Sequence, residues 1–271
     1  MGNYIKITFI DILPEQIDIL IAALSENGYE GFEEKENELN AFIAEKNYDS
    51  SLLKQLTSEY KISFSETIIP SENWNRQWES NFTPVVIDDF VAVRAEFHEP
   101  IAHVEHEIII TPKMSFGTGH HATTSMMMRQ MREIDFNGKT VFDFGTGTGI
   151  LAILAEKSGA SKIIAVDNDD WSIENALENI QRNNCKLIEL KKADTVARCG
   201  GFDVILANIT KNIILENFDL LVQQLNKNGI LLLSGLLEGD QDDILTYSTK
   251  NLLVLNKKLR EGNWLSLSFL R

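Results

Sequence analysis

Apolar and polar positions alternate with a period of two through Tyr4–Ile10, the signature of a half-buried strand. A spacing of three to four replaces this over Pro14–Glu26 and predicts an amphipathic helix. Pro14 stands in the first turn, where its missing N–H costs nothing, and Asn27-Gly28 ends the run. Two more extended stretches, Tyr29–Lys35 and Glu38–Glu45, flank the turn pair Glu36-Asn37. Ser50–Tyr60 then returns to helical spacing and Lys61–Ile69 to extended chain. The order β-α-β-β-α-β predicts a ferredoxin-like α+β domain over residues 1–70, two helices against one antiparallel sheet.

Residues 71–81 carry Trp74 and Trp78 four apart, a spacing that places both indoles on one face of a short linker helix, packed as an anchor. From Phe82 the chain becomes strand-rich and then alternates. Lys139–Phe144, Lys162–Val166, Leu187–Leu190, Asp203–Ala207 and Gly229–Ser234 read as strands. Helical patterns at Ile150–Ser158, Trp171–Asn183, Lys211–Asn226 and Glu238–Thr249 lie between or after them. Residues 82–271 are therefore expected to form an α/β, doubly wound, Rossmann-like domain. Leu252–Leu259 and Trp264–Leu270 lie close enough in sequence to add an antiparallel pair.

A chain of 271 residues with 44% hydrophobic content supports a large domain and a small one. Its formal net charge of -15 repels phosphate backbones and anionic lipid, so direct nucleic-acid binding is not expected. Residues 1–70 hold 5 Lys+Arg against 13 Asp+Glu, about half of the net acidity, which suits a basic partner. No run reaches the roughly 20 apolar residues of a membrane span, and the N-terminus lacks a signal-peptide layout; a cytoplasmic protein is expected. Cys185 and Cys199 are too few and too isolated for a disulfide framework and are expected as free thiols.

The chemistry-bearing motif is Val141-Phe142-Asp143-Phe144-Gly145-Thr146-Gly147-Thr148-Gly149-Ile150, a strand-turn-helix cradle. Glycines at 145, 147 and 149 let the backbone turn sharply and press its N–H groups against a ligand. A dinucleotide fingerprint wants its third glycine at 150, where the chain has Ile150, so the motif for NAD is not met. Asp143 would oppose a pyrophosphate but accepts hydrogen bonds from a ligand ammonium or from the turn itself. That favours S-adenosylmethionine as cofactor. After the next strand Asp167 stands where such folds place a carboxylate on ribose hydroxyls, whereas Asn168, Asp169 and Asp170 suit helix capping. Asp194 ends the third strand, near the expected adenine amino group, a position a solvated loop residue explains equally well.

Asn208 ends the fourth strand and points into the crevice where α/β folds bind ligands. Its amide oxygen could take a hydrogen bond from an attacking amine, with capping of the following helix as the rival role. Residues 114–124, Met-Ser-Phe-Gly-Thr-Gly-His-His-Ala-Thr-Thr, hold too much glycine, hydroxyl and histidine for a plain connector and read as a site loop. His120 and His121, with His103 and His106, invite a metal reading. No Cys or carboxylate set at recognised spacing supports it, and no metal is expected.

With the Phe116–Thr124 run, the Asp143–Gly149 cradle, Asp167 and Asn208-Ile209 in order, the chain resembles the bacterial ribosomal protein L11 methyltransferases. The likeness extends to Trp74-Asn75-Arg76-Gln77-Trp78, Phe82-Thr83-Pro84, Ser234-Gly235-Leu236 and Glu261-Gly262-Asn263-Trp264, nearly the whole chain. It implies an N-terminal domain that docks ribosomal protein L11, a flexible linker, and a catalytic domain that methylates lysine ε-amines and the N-terminal α-amine. It also implies that Thr123 or Thr124, Gly145, Asp167 and Asn208 hold the cofactor, with Phe116 at the mouth where the amine enters. The chain departs from the family's usual pattern at Thr210-Lys211 and at Asp169-Asp170-Trp171.

The expected chemistry is in-line attack of a neutral amine on a sulfonium methyl, driven by positioning and exclusion of water, with no covalent enzyme intermediate. The alternatives are an enzyme of the same fold acting on another protein, a small molecule or RNA, and a catalytically silent cofactor-binding module. A nucleic-acid enzyme should carry a basic or aromatic surface where this chain is acidic.

Overall fold

A computed structural model describes residues 3–35, 37–60, 62–69, 82–111, 117–194 and 200–271. They divide into two compact units, Met1–Asn81 and Phe82–Arg271. The linker segment with Trp74 and Trp78 lies outside the described residues.

The first unit runs β1 (Tyr4–Ile10), α1 (Pro14–Glu26), β2 (Gly31–Lys35), β3 (Glu38–Ala44), α2 (Ser50–Tyr60) and β4 (Ser63–Ile69). Its four strands form one antiparallel sheet in the order β2-β3-β1-β4, the ferredoxin-like arrangement that the element order announces. The period of two in β1 puts Ile5, Ile7 and Phe9 on one face, where they meet Leu39, Ala41 and Ile43 of β3 and Leu20, Leu24 and Leu53 of the helices. Asn37, at φ 56, supplies the left-handed turn residue between β2 and β3.

The second unit opens with a three-stranded sheet, β5 (Val85–Ile87), β6 (Val91–Ala95) and β7 (His106–Ile110), followed by α3 (Ala122–Met131). It continues β8 (Thr140–Phe144), α4 (Ile150–Lys157), β9 (Lys162–Asp167), α5 (Asp170–Arg182), β10 (Ile188–Lys192), β11 (Phe202–Asn208), α6 (Lys211–Gln224), β12 (Leu225–Leu237), α7 (Gln241–Lys250), β13 (Val254–Glu261) and β14 (Trp264–Leu270). The large sheet has the order β10-β9-β8-β11-β12-β14-β13. Its first five strands are parallel, and β14 is inserted antiparallel between β12 and β13. The doubly wound reading holds. Strand β12 is longer than Gly229–Ser234, because Leu225 already pairs with Phe202, and α6 accordingly stops at Gln224 rather than Asn226.

Helix α3 overturns the reading of residues 114–124 as loop throughout: Ala122, Thr123 and Thr124 form its first turn. Its apolar signal is hidden because Met126, Met127, Met128 and Met131 are all buried, which leaves no clean amphipathic stripe. From β8 the chain winds outward to β9 and β10, then returns to β11 on the other side of β8. β8 and β11 stay paired to their carboxyl ends, and the connections that leave them run to opposite sides of that switch point and open a crevice.

Candidate active site

A cavity of about 520 Å³ occupies this crevice. Its walls come from the ends of four parallel strands, with Phe144 and Gly145 from β8, Asp167 from β9, Ala193 and Asp194 after β10 and Asn208 from β11. The size is that of a site for a nucleoside-sized ligand.

The three cradle glycines do three different jobs, all with positive φ. Gly145, at φ 76, passes so close to the chain after β11 that an added Cβ would lie 2.3 Å from Ile209 Cγ2. Gly147 faces the cavity and donates its N–H to Asp167 Oδ2 at 2.9 Å. Gly149 caps α4, and an added Cβ would sit 3.3 Å from Ala176 Cβ of α5, so it sets helix packing rather than the cavity wall. The turn is closed by Gly145 and Thr146 N–H groups, both 2.9 Å from Val166 O.

Asp143 lies beneath this turn and is 1% exposed. Thr146 Oγ1 donates to its Oδ2 at 2.6 Å, while Oδ1 has no partner among the described residues; the Ala152 amide faces it outside hydrogen-bond geometry. Burial pushes its pKa up to about 7 against the pull of the Thr146 hydroxyl, and the nearby Asp167 charge adds to the rise. Asp143 is thus a buried acid behind the cradle and not part of the cavity wall.

Asp167 is on the wall. It accepts from Gly147 and, through Oδ1, from the Asp169 N–H at 3.1 Å, which leaves further lone pairs for ribose hydroxyls. Asp169 caps α5 by accepting from Ser172 N at 2.9 Å, the structural role its position suits. Asp194 stands exposed at the rim.

Asn208 is buried, and its Nδ2 donates to Thr124 Oγ1 at 3.1 Å across 84 residues of chain. Its Oδ1 is buried with no hydrogen-bond partner among the described residues, and the residue itself lines the cavity. It does not cap α6; Thr210 occupies that position and makes no side-chain cap bond. Thr123 lines the cavity and Thr124 fixes Asn208 from behind, so the Thr pair divides its work between wall and support.

His121 joins the wall, its Nδ1 2.7 Å from Thr123 Oγ1 and its ring edge-on to Trp264 at 4.7 Å. Nε2 of His120 instead meets Thr83 O at 2.8 Å. His106 packs edge-on against Phe90, with its pKa lowered by burial. Among the described residues no group of three His, Cys, Asp or Glu side chains could hold a metal ion. Cys185 is a free thiol whose pKa burial pushes up to about 11, and Cys199 lies outside the described residues. Phe116, expected at the amine entrance, also lies outside them.

The match to known proteins follows this geometry. Residues 13–271 fit the family model described as ribosomal protein L11 methyltransferase (PrmA). A ribosomal protein L11 methyltransferase from Porphyromonas gingivalis is 42% identical over 261 residues, which cover 93% of this chain and 90% of that protein. One from Bacteroides fragilis is 35% identical, covering 93% of both. A ribosomal protein L11 methylase from Lactobacillus delbrueckii subsp. bulgaricus superposes with a TM-score of 0.65 at 31% identity, over 69% of this chain and 98% of that one.

The chain belongs to the ribosomal protein L11 methyltransferase family. Its activity is methyl transfer and its methyl donor is S-adenosylmethionine.

The residues present fit that donor: Gly145 leaves no room for a Cβ in the cradle, Asp167 sets a carboxylate on the cavity wall beside it, and Asn208 holds a buried acceptor with no partner among the described residues. For an L11 methyltransferase the sequence motifs left out several wall residues. Ile213, Glu216 and Asn217 face the cavity from α6, at the i, i+3 and i+4 spacing of one helix face. Gly235 also lines it. At φ 80 in β12, an added Cβ there would fall 2.2 Å from Ile209 O, so Ile209 is gripped between Gly145 and Gly235. The helical spacing in α6 was the sequence signal for the first three, and Gly235 stood in the Ser234-Gly235-Leu236 run that carried part of the resemblance, just past the predicted strand.

Proposed function

We propose that this enzyme methylates lysine ε-amines and the N-terminal α-amine of ribosomal protein L11 in the cytoplasm, with the N-terminal domain docking the target. The carrying observation is Asn208 on the cavity wall, its Nδ2 held by Thr124 and its buried Oδ1 without a hydrogen-bond partner among the described residues. S-adenosylmethionine, when bound, supplies an electrophilic sulfonium methyl. Asn208 accepts a hydrogen bond from the incoming amine and aims its lone pair at that carbon. Gly145, Gly147 and Asp167 would hold that donor in the crevice, and the proton that the amine must shed would pass to water or a nearby carboxylate. The cavity walls exclude water from the reacting centre.

The 13 acidic against 5 basic residues over 1–70 support a basic target protein, and the names of the relatives give ribosomal protein L11 as theirs. No helix among the described residues is long and apolar enough to cross a membrane. The test is thermal stabilisation by S-adenosylmethionine followed by transfer of a labelled methyl group to purified ribosomal protein L11. Labelling of L11 lysines and its N-terminus is expected; stabilisation without transfer to L11 refutes the substrate assignment.

A further inference from the structure

Two side chains that the cavity wall does not include tie the start of α3 to the glycine cradle. Asn179, on α5, is 0% exposed and uses both ends of its amide. Its Oδ1 accepts from the Thr111 N–H at 2.7 Å, just past β7, and its Nδ2 donates to Thr148 O at 2.9 Å in the cradle. Thr148 is also 0% exposed, and its Oγ1 donates to Gly117 O at 2.6 Å. The contact is close enough that a Cβ on residue 117 would fall 2.9 Å from that hydroxyl, and Gly117 sits at φ 105. One residue of the cradle is therefore bonded to the chain at two points, 111 and 117, the first through Asn179 and the second directly.

From Gly117 the path to the chemistry is short. Thr118 Oγ1 lies 3.2 Å from His120 Nδ1, His121 caps α3, Thr123 lines the cavity, and Thr124 holds Asn208. A buried polar network with both amide ends satisfied defines position rather than merely adding stability.

We infer that Thr148 and Asn179 are positioning residues that register the Gly117–Thr124 segment, and through it Asn208, against the cofactor cradle. This rests on the proposed function for its assay, but not for its geometry. Thr148→Val keeps shape and removes the donor to Gly117 O, leaving that carbonyl short of a partner. A misplacement of about 1 Å costs about 100-fold in rate, so Thr148→Val should lower kcat by about 10- to 100-fold while the Kd for S-adenosylmethionine changes by less than about 3-fold. Thr148→Ser restores the hydroxyl and should restore kcat. Amide hydrogen exchange of the 117–124 peptide gives a readout that needs no target protein. Cofactor should slow exchange there in the parent and in Thr148→Ser but not in Thr148→Val.

Equal kcat in all three proteins, or equal cofactor-dependent protection, overturns the inference. So does a loss of cofactor affinity in Thr148→Val as large as its loss of kcat, which would mark a general defect of the cradle. If the parent transfers nothing to ribosomal protein L11, the substrate assignment fails, and the exchange comparison alone decides the positioning role.

Discussion

The Asp143→Asn substitution separates what the cradle costs from what it does. In the parent, burial holds the Asp143 pKa at about 7, against 3.8 for the free side chain. An acid with a raised folded-state pKa binds a proton in the folded protein that the unfolded chain has already released. Its contribution is intact below about pH 4, falls as pH rises through the window from about 4 to 7, and then stays lost. At about 1.4 kcal/mol per pH unit, the loss across that window is about 4 kcal/mol. Asparagine keeps an oxygen for the Thr146 hydroxyl but carries no charge, so this slope should vanish. The new amide N–H₂ replaces the unpartnered Oδ1 and costs about 1–3 kcal/mol. The variant should therefore fall below the parent in acid, cross it between about pH 4.5 and 6, and exceed it by about 1–3 kcal/mol at pH 8. Urea unfolding at half-unit pH steps from 4.5 to 8 measures the difference directly. Parallel curves for parent and variant would refute the reasoning, because they would mean that Asp143 titrates alike in the folded and unfolded chains. Titration of both proteins with S-adenosylmethionine at pH 8 is expected to show weaker binding to the variant, since a carboxylate under the cradle favours a ligand ammonium.

Asp167→Ala removes the acceptor of the Gly147 N–H together with the expected ribose partner. It should cost about 1.5–3 kcal/mol of cofactor affinity, roughly 10- to 150-fold in Kd by calorimetry. Asn208→Ala should lower kcat by about 10- to 100-fold, whereas Thr210→Ala, at a helix cap that makes no side-chain bond, should leave turnover near the parent value. Equal effects of the two substitutions would remove Asn208 from the amine site.

The elements of both units were legible because their signals are local. The alternation in Tyr4–Ile10 and the helical spacing of Pro14–Glu26 end within a residue of where hydrogen bonding ends. The glycines of the cradle and the carboxylate at the tip of β9 announced a nucleotide-type crevice for the same reason: each is demanded by the backbone around it. Helix α3 was not legible, because a run of adjacent methionines buried on several sides carries no period.

The sequence by itself determined the order of elements, the acidic character of residues 1–70, and which residues stand at strand ends, since periodicity, charge and backbone preference are properties of neighbours along the chain. Tertiary structure decided what those residues meet. It placed Asp143 under the cradle instead of on the wall and turned Asn208 toward the cavity by bonding it to a threonine 84 residues away. It also gripped Ile209 between Gly145 and Gly235, and gave Asn179 both of its partners. Those contacts join segments that only the sheet brings together, and a single side chain's partner across that distance leaves no trace in the spacing of residues near it.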